Sequence, residues 1–235
     1  MRSTSNYIKI KMFFGICLIV CLSLQCTLFA RSKQKNYLNL VQVTSLNPRI
    51  QLDLRYATEN NFLGFPIYPQ AVCYLHEDAA EALCLVQEDV ESLGYSLKIF
   101  DGYRPLHVQQ KMWDLIQDER YVSNPAVNKG RHTRGTAVDL TLVDASGKEL
   151  EMPSDFDDFT EKAHSHYAET SDEAKKNRAL LKLVMEKHGF KQFEFEWWHF
   201  DLEGWQDDLK YPSRDVDFAE LENHSPVTVL PYPFP

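Results

Sequence analysis

His132 and Asp139 stand seven residues apart in residues 131–143 (RHTRGTAVDLTLV), and Glu196 stands three before His199 in residues 193–202 (FEFEWWHFDL). Two imidazoles and a carboxylate form the N/O donor set of a catalytic zinc ion. Such an ion takes three protein ligands at about 2.0–2.2 Å and keeps one position open for water. Water bound to zinc loses a proton near neutrality, and a carboxylate outside the ligand set can take it. His132, Asp139 and His199 are thus candidate ligands for one zinc ion per chain, and Glu196 is the candidate base. Each residue also has an ordinary reading. A lone histidine on a strand is more often a core or surface residue, and Trp197 and Trp198 are packing aromatics by default. Asp139 is harder to explain in that way. Among Ala137, Val138, Leu140 and Leu142, a buried carboxylate is costly unless it is paired or bound to a metal.

These residues must be positioned by elements. Residues 137–143 alternate as a strand does, and Gly135 permits a bend before them, so His132 and Asp139 can face one another across the bend. Residues 193–202 have the aromatic content of a strand. On a regular strand, positions 196 and 199 point to opposite faces, so pairing Glu196 with His199 requires a bulge, a twist or the strand's end there. The spacing also differs from the helical H-E-x-x-H arrangement.

Further upstream, residues 38–54 read as one or two strands. In residues 77–93, apolar side chains recur at 79, 82, 83, 86, 90 and 93, which is helical spacing, and Gly94 is a suitable cap. Residues 96–100 read as a strand delivering the turn 101–105 (DGYRP), and a helix is expected over 106–120. An acidic loop, 144–159, precedes a helix over 171–188 that ends at Gly189. The expected fold is α+β: a single domain with a central, mainly antiparallel sheet flanked by helices, and the zinc site in a cleft on the sheet.

With 235 residues, 44% of them apolar and 12% aromatic, the chain can bury one sizeable core and is globular. Arg2, Lys9 and Lys11 precede an apolar run at 12–24 (MFFGICLIVCLSL), the order of a secretory signal. That run is shorter than the roughly 20 residues a spanning helix needs, so the mature form is expected to have no stable membrane span. Residues 1–30 are therefore read as a leader cut after Ala30, or alternatively cut before a lipid-bearing Cys26. Either places the protein in the periplasm or cell envelope, and the second anchors it by lipid. The net charge of −9 becomes −12 once the three basic residues of the leader depart, which argues against nucleic acid or anionic lipid as partner.

Three cysteines belong to the leader. Cys73 and Cys84 remain, either as a disulfide or as small core residues, and neither stands in a motif with a histidine. The enzyme domain is expected over 36–210. Residues 211–235, with five prolines, read as a tail wrapping the surface. His164 and His166 are read as surface groups rather than a second metal site, and oligomeric state is not legible.

The segment His132-Thr133-Arg134-Gly135-Thr136-Ala137-Val138-Asp139 together with Glu196-Trp197-Trp198-His199 resembles the zinc D-alanyl-D-alanine dipeptidases, which cleave the free dipeptide. Further matches follow in the same order: residues 52–58 (LDLRYAT), 101–105 (DGYRP) and Phe156-Asp157, so the resemblance spans roughly 40–205. It implies His132, Asp139 and His199 as metal ligands, Glu196 as base and Arg104 as the cation facing the developing oxyanion. A guanidinium fork suits that task. By the same resemblance Asp157 receives the substrate's ammonium group and Tyr56 lines the small pocket. Trp197, beside the base, is the third residue expected to touch substrate.

One position departs from the family. A serine usually stands two residues before the first ligand, near the substrate's carboxylate, and this chain has Gly130. Lys129, Arg131 or a backbone N–H would have to take over that contact. The substrate is thus a free dipeptide or, alternatively, a peptide of the peptidoglycan stem cut by a related carboxypeptidase or endopeptidase. A non-catalytic zinc-stabilised module would have no need of Glu196 and Arg104.

Overall fold

The structure, a computed structural model, describes residues 39–224. The leader, Cys26 and the last eleven residues of the proline-rich stretch lie outside them. Among the described residues, no helix is long and apolar enough to cross a membrane.

Chain order begins with β1 (Leu40–Gln42), a single helical turn α1 (Val43–Leu46) and β2 (Gln51–Leu52), followed by β3 (Tyr74–His76) and α2 (Glu77–Ser92). Then come β4 (Ser96–Asp101), α3 (Leu106–Leu115), β5 (Ala137–Val143) and α4 (Asp172–Lys187). The chain continues through β6 (Phe190–Gln192), β7 (His199–Leu202) and α5 (Phe218–His224). Five strands form one sheet in the order β2-β4-β5-β7-β6; β2 and β4 run parallel, and every other neighbouring pair is antiparallel. β1 and β3 form a separate antiparallel pair. This is the expected α+β domain.

Period-two alternation splits the central sheet into two unlike faces. Leu97, Ile99, Val138, Leu140, Leu142 and Phe200 are fully buried on one, in a core shared with Leu83, Val86 and Val90 of α2 and Leu181 and Met185 of α4. Asp139, Thr141, His199 and Asp201 lie on the other. All seven residues of β5 are buried, so its polar face is covered by loops rather than by water.

The structure corrects two expectations and decides a third between its alternatives. The helix expected over 106–120 stops at Leu115, because Asp118 folds its own turn. Its carboxylate accepts the Arg120 N–H (3.1 Å) and its carbonyl those of Tyr121 and Val122. Residues 193–202 are not one strand. Trp197 N–H bonds to the carbonyl of Ala163 (2.7 Å) instead of to a neighbouring strand, so 194–197 form a turn and β7 begins at His199. Residues 38–54 form two short strands separated by a helical turn.

Cys73 and Cys84 are both buried and unpaired. Residues 211–224 pack closely: Tyr211, Phe218 and Leu221 are buried, and the Arg214 N–H bonds to the carbonyl of Thr133 (2.9 Å).

Candidate metal centre and its cleft

His132 sits in a 3-10 turn, His132–Arg134, that reverses into β5 through Gly135. Only glycine fits there. Its φ is +72°, and a Cβ would lie 2.5 Å from Leu40 Cδ2 and 2.8 Å from the His76 nitrogen. The bend is pinned from outside by the His76 N–H, which bonds to the Gly135 carbonyl at 2.7 Å. Across the sheet, Asp139 and His199 are directly paired residues of β5 and β7, so their side chains rise side by side. Bend and register together bring the three residues into one buried cluster.

Donor separations test whether a metal fits. His132 Nε2 lies 3.2 Å from His199 Nδ1 and 3.4 Å from Asp139 Oδ2, while His199 Nδ1 lies 2.9 Å from Asp139 Oδ1. Ligand atoms of a tetrahedral zinc ion stand about 3.3 Å apart, given bonds of about 2.0–2.1 Å. The outward ring nitrogens are already committed. His132 Nδ1 faces the Gly102 carbonyl at 2.8 Å, and His199 Nε2 faces Asp201 Oδ1 at 3.1 Å. In neutral rings those partners take the ring protons, which leaves two bare nitrogens facing each other. Asp139 Oδ1 is buried, and a bare His199 Nδ1 at 2.9 Å offers it no proton, so it too lacks a donor. Burial disfavours a charge on His199, yet the Asp201 and Asp139 carboxylates outweigh it and raise its pKa to about 10. The cluster draws a positive charge that a divalent cation would supply, and the donor set fits one.

Glu196 is placed by the turn that precedes β7. The His199 N–H reaches back to the Glu196 carbonyl at 3.4 Å, and Glu196 Oε2 ends 3.6 Å from His199 Nδ1. The geometric requirement raised by the sequence is met because the strand starts at His199. Burial pushes the Glu196 carboxyl up to about 8, with the Asp139 charge adding to the rise and His199 opposing it. A carboxylate tuned toward neutrality is suited to shuttling protons.

Arg104 lies in the turn after β4 and is buried. Its Nε and Nη2 donate to Asp101 Oδ2 at 3.2 and 2.6 Å, and Nη1 donates to Gln109 Oε1 at 2.9 Å. Three of its five N–H groups are thereby used and two remain. Its guanidinium lies 5.1 Å from the ring centre of Tyr56, whose hydroxyl bonds to Asp157 at 3.0 Å. Asp157 has a left-handed backbone (φ 59°), and burial, then the charges of Asp139 and Glu196, raise its carboxyl well above the usual range. A cationic group beside it would relieve that cost.

His132, Asp139, His199, Glu196, Arg104, Asp157 and Tyr56 line one cavity of about 650 Å³, its open mouth included. Trp197 does not. It lines a neighbouring cavity and donates its Nε1–H to Ser154 (3.1 Å), whereas Trp198 lines the cleft itself. The expected contact of Trp197 with substrate is therefore corrected. The same turn that places Glu196 at the cleft sends the first tryptophan away from it. His164 and His166 stand apart from the cluster, in a different cavity.

Two residues at the site carry no role in the sequence pattern alone. Asp201 braces His199, and Asp101 binds both Arg104 and the Tyr68 hydroxyl (2.8 Å). Asp201 had a usable signal, since position i+2 on a strand shares a face with His199. Asp101 belongs to the matched turn, but nothing in its residue type marks it as the partner of Arg104.

A buried two-histidine, one-carboxylate cluster with an adjacent glutamate and a facing arginine defines a metallopeptidase centre. The chain belongs to the D-ala-D-ala dipeptidase family of peptidases, whose profile matches residues 36–220. It is 39% identical over 163 residues to a D-alanyl-D-alanine dipeptidase of Escherichia coli (strain K12), covering 69% of this chain and 84% of that one. It is 32% identical over 190 residues to the D-alanyl-D-alanine dipeptidase of Enterococcus faecalis (strain ATCC 700802 / V583), covering 72% and 92%. Among solved structures, the vancomycin-resistance D,D-dipeptidase VanXYg in complex with a D-Ala-D-Ala phosphinate analogue matches at 20% identity. Its TM-score is 0.38, with 79% of this chain and 62% of that one covered.

Proposed function

We propose that the protein is a zinc dipeptidase that hydrolyses D-Ala-D-Ala to two molecules of D-alanine. The observation that carries this reading is the buried trio of His132, Asp139 and His199, with donor atoms 2.9–3.4 Å apart and Glu196 beside them. His132 Nε2, Asp139 and His199 Nδ1 would hold the ion. When bound, zinc supplies Lewis-acid chemistry, acidifying water and polarising the scissile carbonyl.

The chain's own groups do the rest. Glu196 takes the proton of the attacking water and passes it to the nitrogen of the leaving amine. The two remaining N–H groups of Arg104 face the oxygen on which negative charge grows. Asp157, aligned by Tyr56, receives the ammonium group of the dipeptide. Burial of these groups removes competing water and strengthens each charged contact.

D-Ala release from D-Ala-D-Ala should exceed release from D-Ala-terminated tri- and pentapeptides by at least about 100-fold, the scale expected when an end group is left buried and unpaired. Preference for the longer peptides would instead favour a carboxypeptidase of peptidoglycan stems. Export to the periplasm or cell envelope is supported by the basic and then apolar order of residues 2–24. Amino-terminal sequencing of the protein recovered from that compartment distinguishes cleavage after Ala30 from lipidation at Cys26.

A further inference from the structure

The cleft must take both ends of a zwitterionic dipeptide, and the family's serine hydroxyl for the carboxylate end is missing. Gly130 cannot simply be restored to serine. Its φ is +82°, and a Cβ would press within 3.1–3.3 Å of the Gln109 side chain. Gln109 is itself fixed, accepting from Arg104 and donating to the Ser123 carbonyl at 2.7 Å. Lys129 is not among the residues that line the cleft.

Three arginines do line it: Arg104, Arg120 and Arg131. Arg104 is held by Asp101 and Gln109 and belongs to the oxyanion side. Arg120 is largely exposed and forks onto both oxygens of Asp118, at 3.0 and 2.6 Å. Arg131 is different. Its guanidinium lies over Phe193, 4.0 Å from the ring centre, with the Trp205 ring centre at 5.3 Å, and only Nη1 donates a hydrogen bond, to Asp201 Oδ2 at 3.0 Å. Among the described residues its Nε and Nη2 donate to no protein group. Phe193 and Arg131 line the cleft together, so a guanidinium pre-set by an aromatic ring and a carboxylate presents unused donors at its wall.

We propose that Arg131 is the residue that binds the substrate's terminal carboxylate, taking the part the family gives to the serine replaced by Gly130. The assignment rests on the dipeptidase reading above. It divides the cleft by charge: Asp157 for the ammonium end, Arg131 for the carboxylate end, and the metal trio between them in function. A guanidinium recognises a carboxylate more strongly than a hydroxyl does, because the bond is charge-assisted.

The test compares D-Ala-D-Ala with its carboxamide, D-Ala-D-Ala-NH2, in the zinc-loaded full chain. Wild type should prefer the free acid in kcat/KM by about 10- to 100-fold, the worth of a charge-assisted hydrogen bond. In Arg131→Gln that preference should collapse toward unity, mainly through KM for the acid. In Arg131→Lys it should fall several-fold but persist. A purely structural role, bracing Asp201 and through it His199, would slow both substrates alike and leave the ratio untouched. An unchanged ratio in Arg131→Gln overturns the assignment. If that variant fails to fold, an unchanged ratio in Arg131→Lys does the same. Wild type hydrolysing both substrates equally well also overturns it, whereas wild type hydrolysing neither sinks the dipeptidase reading itself.

Discussion

Glu196 is buried next to Asp139 and, unlike Asp101, is held by no arginine. Burial lifts its carboxyl to about 8 from an ordinary value near 4.5. A carboxyl with a raised folded-state pKa binds its proton more tightly when folded, so its contribution to stability is full below the unfolded value and fades as pH rises. In chelated protein, wild type should therefore lose stability relative to Glu196→Gln between about pH 4.5 and 8, by urea unfolding. Turnover runs the other way, since only the ionised base accepts a proton, and a cation held by the trio would move that ionisation lower by countering Asp139. Glu196→Gln should keep its zinc and lose about 10²- to 10⁴-fold in kcat. At this scale the sequence was most legible, because His132, Asp139, Glu196, His199 and Arg104 are chemically conspicuous residues in short matched segments. Arg131 is legible only as one of several candidates beside Gly130, and Asp201 is assigned no role there: what distinguishes both is a contact across the sheet between residues 70 apart.

Between residues and molecule stand the bend and the hairpin. β5 is readable from its alternation and α2 from helical spacing, because each buries one periodic face in the common core, while the end of α4 is marked by Gly189. The segment 193–198 was misread as strand, since its aromatic content is that of a strand while its path is set by a long-range bond from Trp197 to Ala163. That misreading carried Trp197 to the wrong side. Gly135 was correctly seen as a bend, but the reason it must be glycine lies in the contacts of Leu40 and His76. Gly135→Ala should destabilise the fold by about 1–3 kcal/mol from backbone strain alone, more if Leu40 cannot yield. It should also displace His132 and lower zinc affinity. Zinc binding and unfolding midpoint both unchanged would show that the bend does not hold the ligand.

For the whole molecule, the site lies on the polar face of a sheet whose apolar face anchors the core, so the cluster inherits the rigidity of the domain. The proline-rich stretch contributes to this, which its composition concealed. Arg214 bonds to the Thr133 carbonyl beside His132, and the Leu106 N–H bonds to the Arg214 carbonyl beside the Arg104 turn. A chain ending at Lys210 would lose buried Tyr211, Phe218 and Leu221, each worth about 1.5–3 kcal/mol. Its urea midpoint should fall sharply, and an unchanged midpoint would make the stretch dispensable. The central claim joins metal and base in one centre, and a zinc titration of chelated protein tests it most directly, reading bound metal and D-Ala-D-Ala hydrolysis together. Wild type should gain activity in step with zinc and level off at one ion per chain. Glu196→Gln should bind the same single ion without turnover, and His132→Ala should bind it far more weakly. Activity that appears without zinc, or tight zinc binding that survives His132→Ala, would contradict the account.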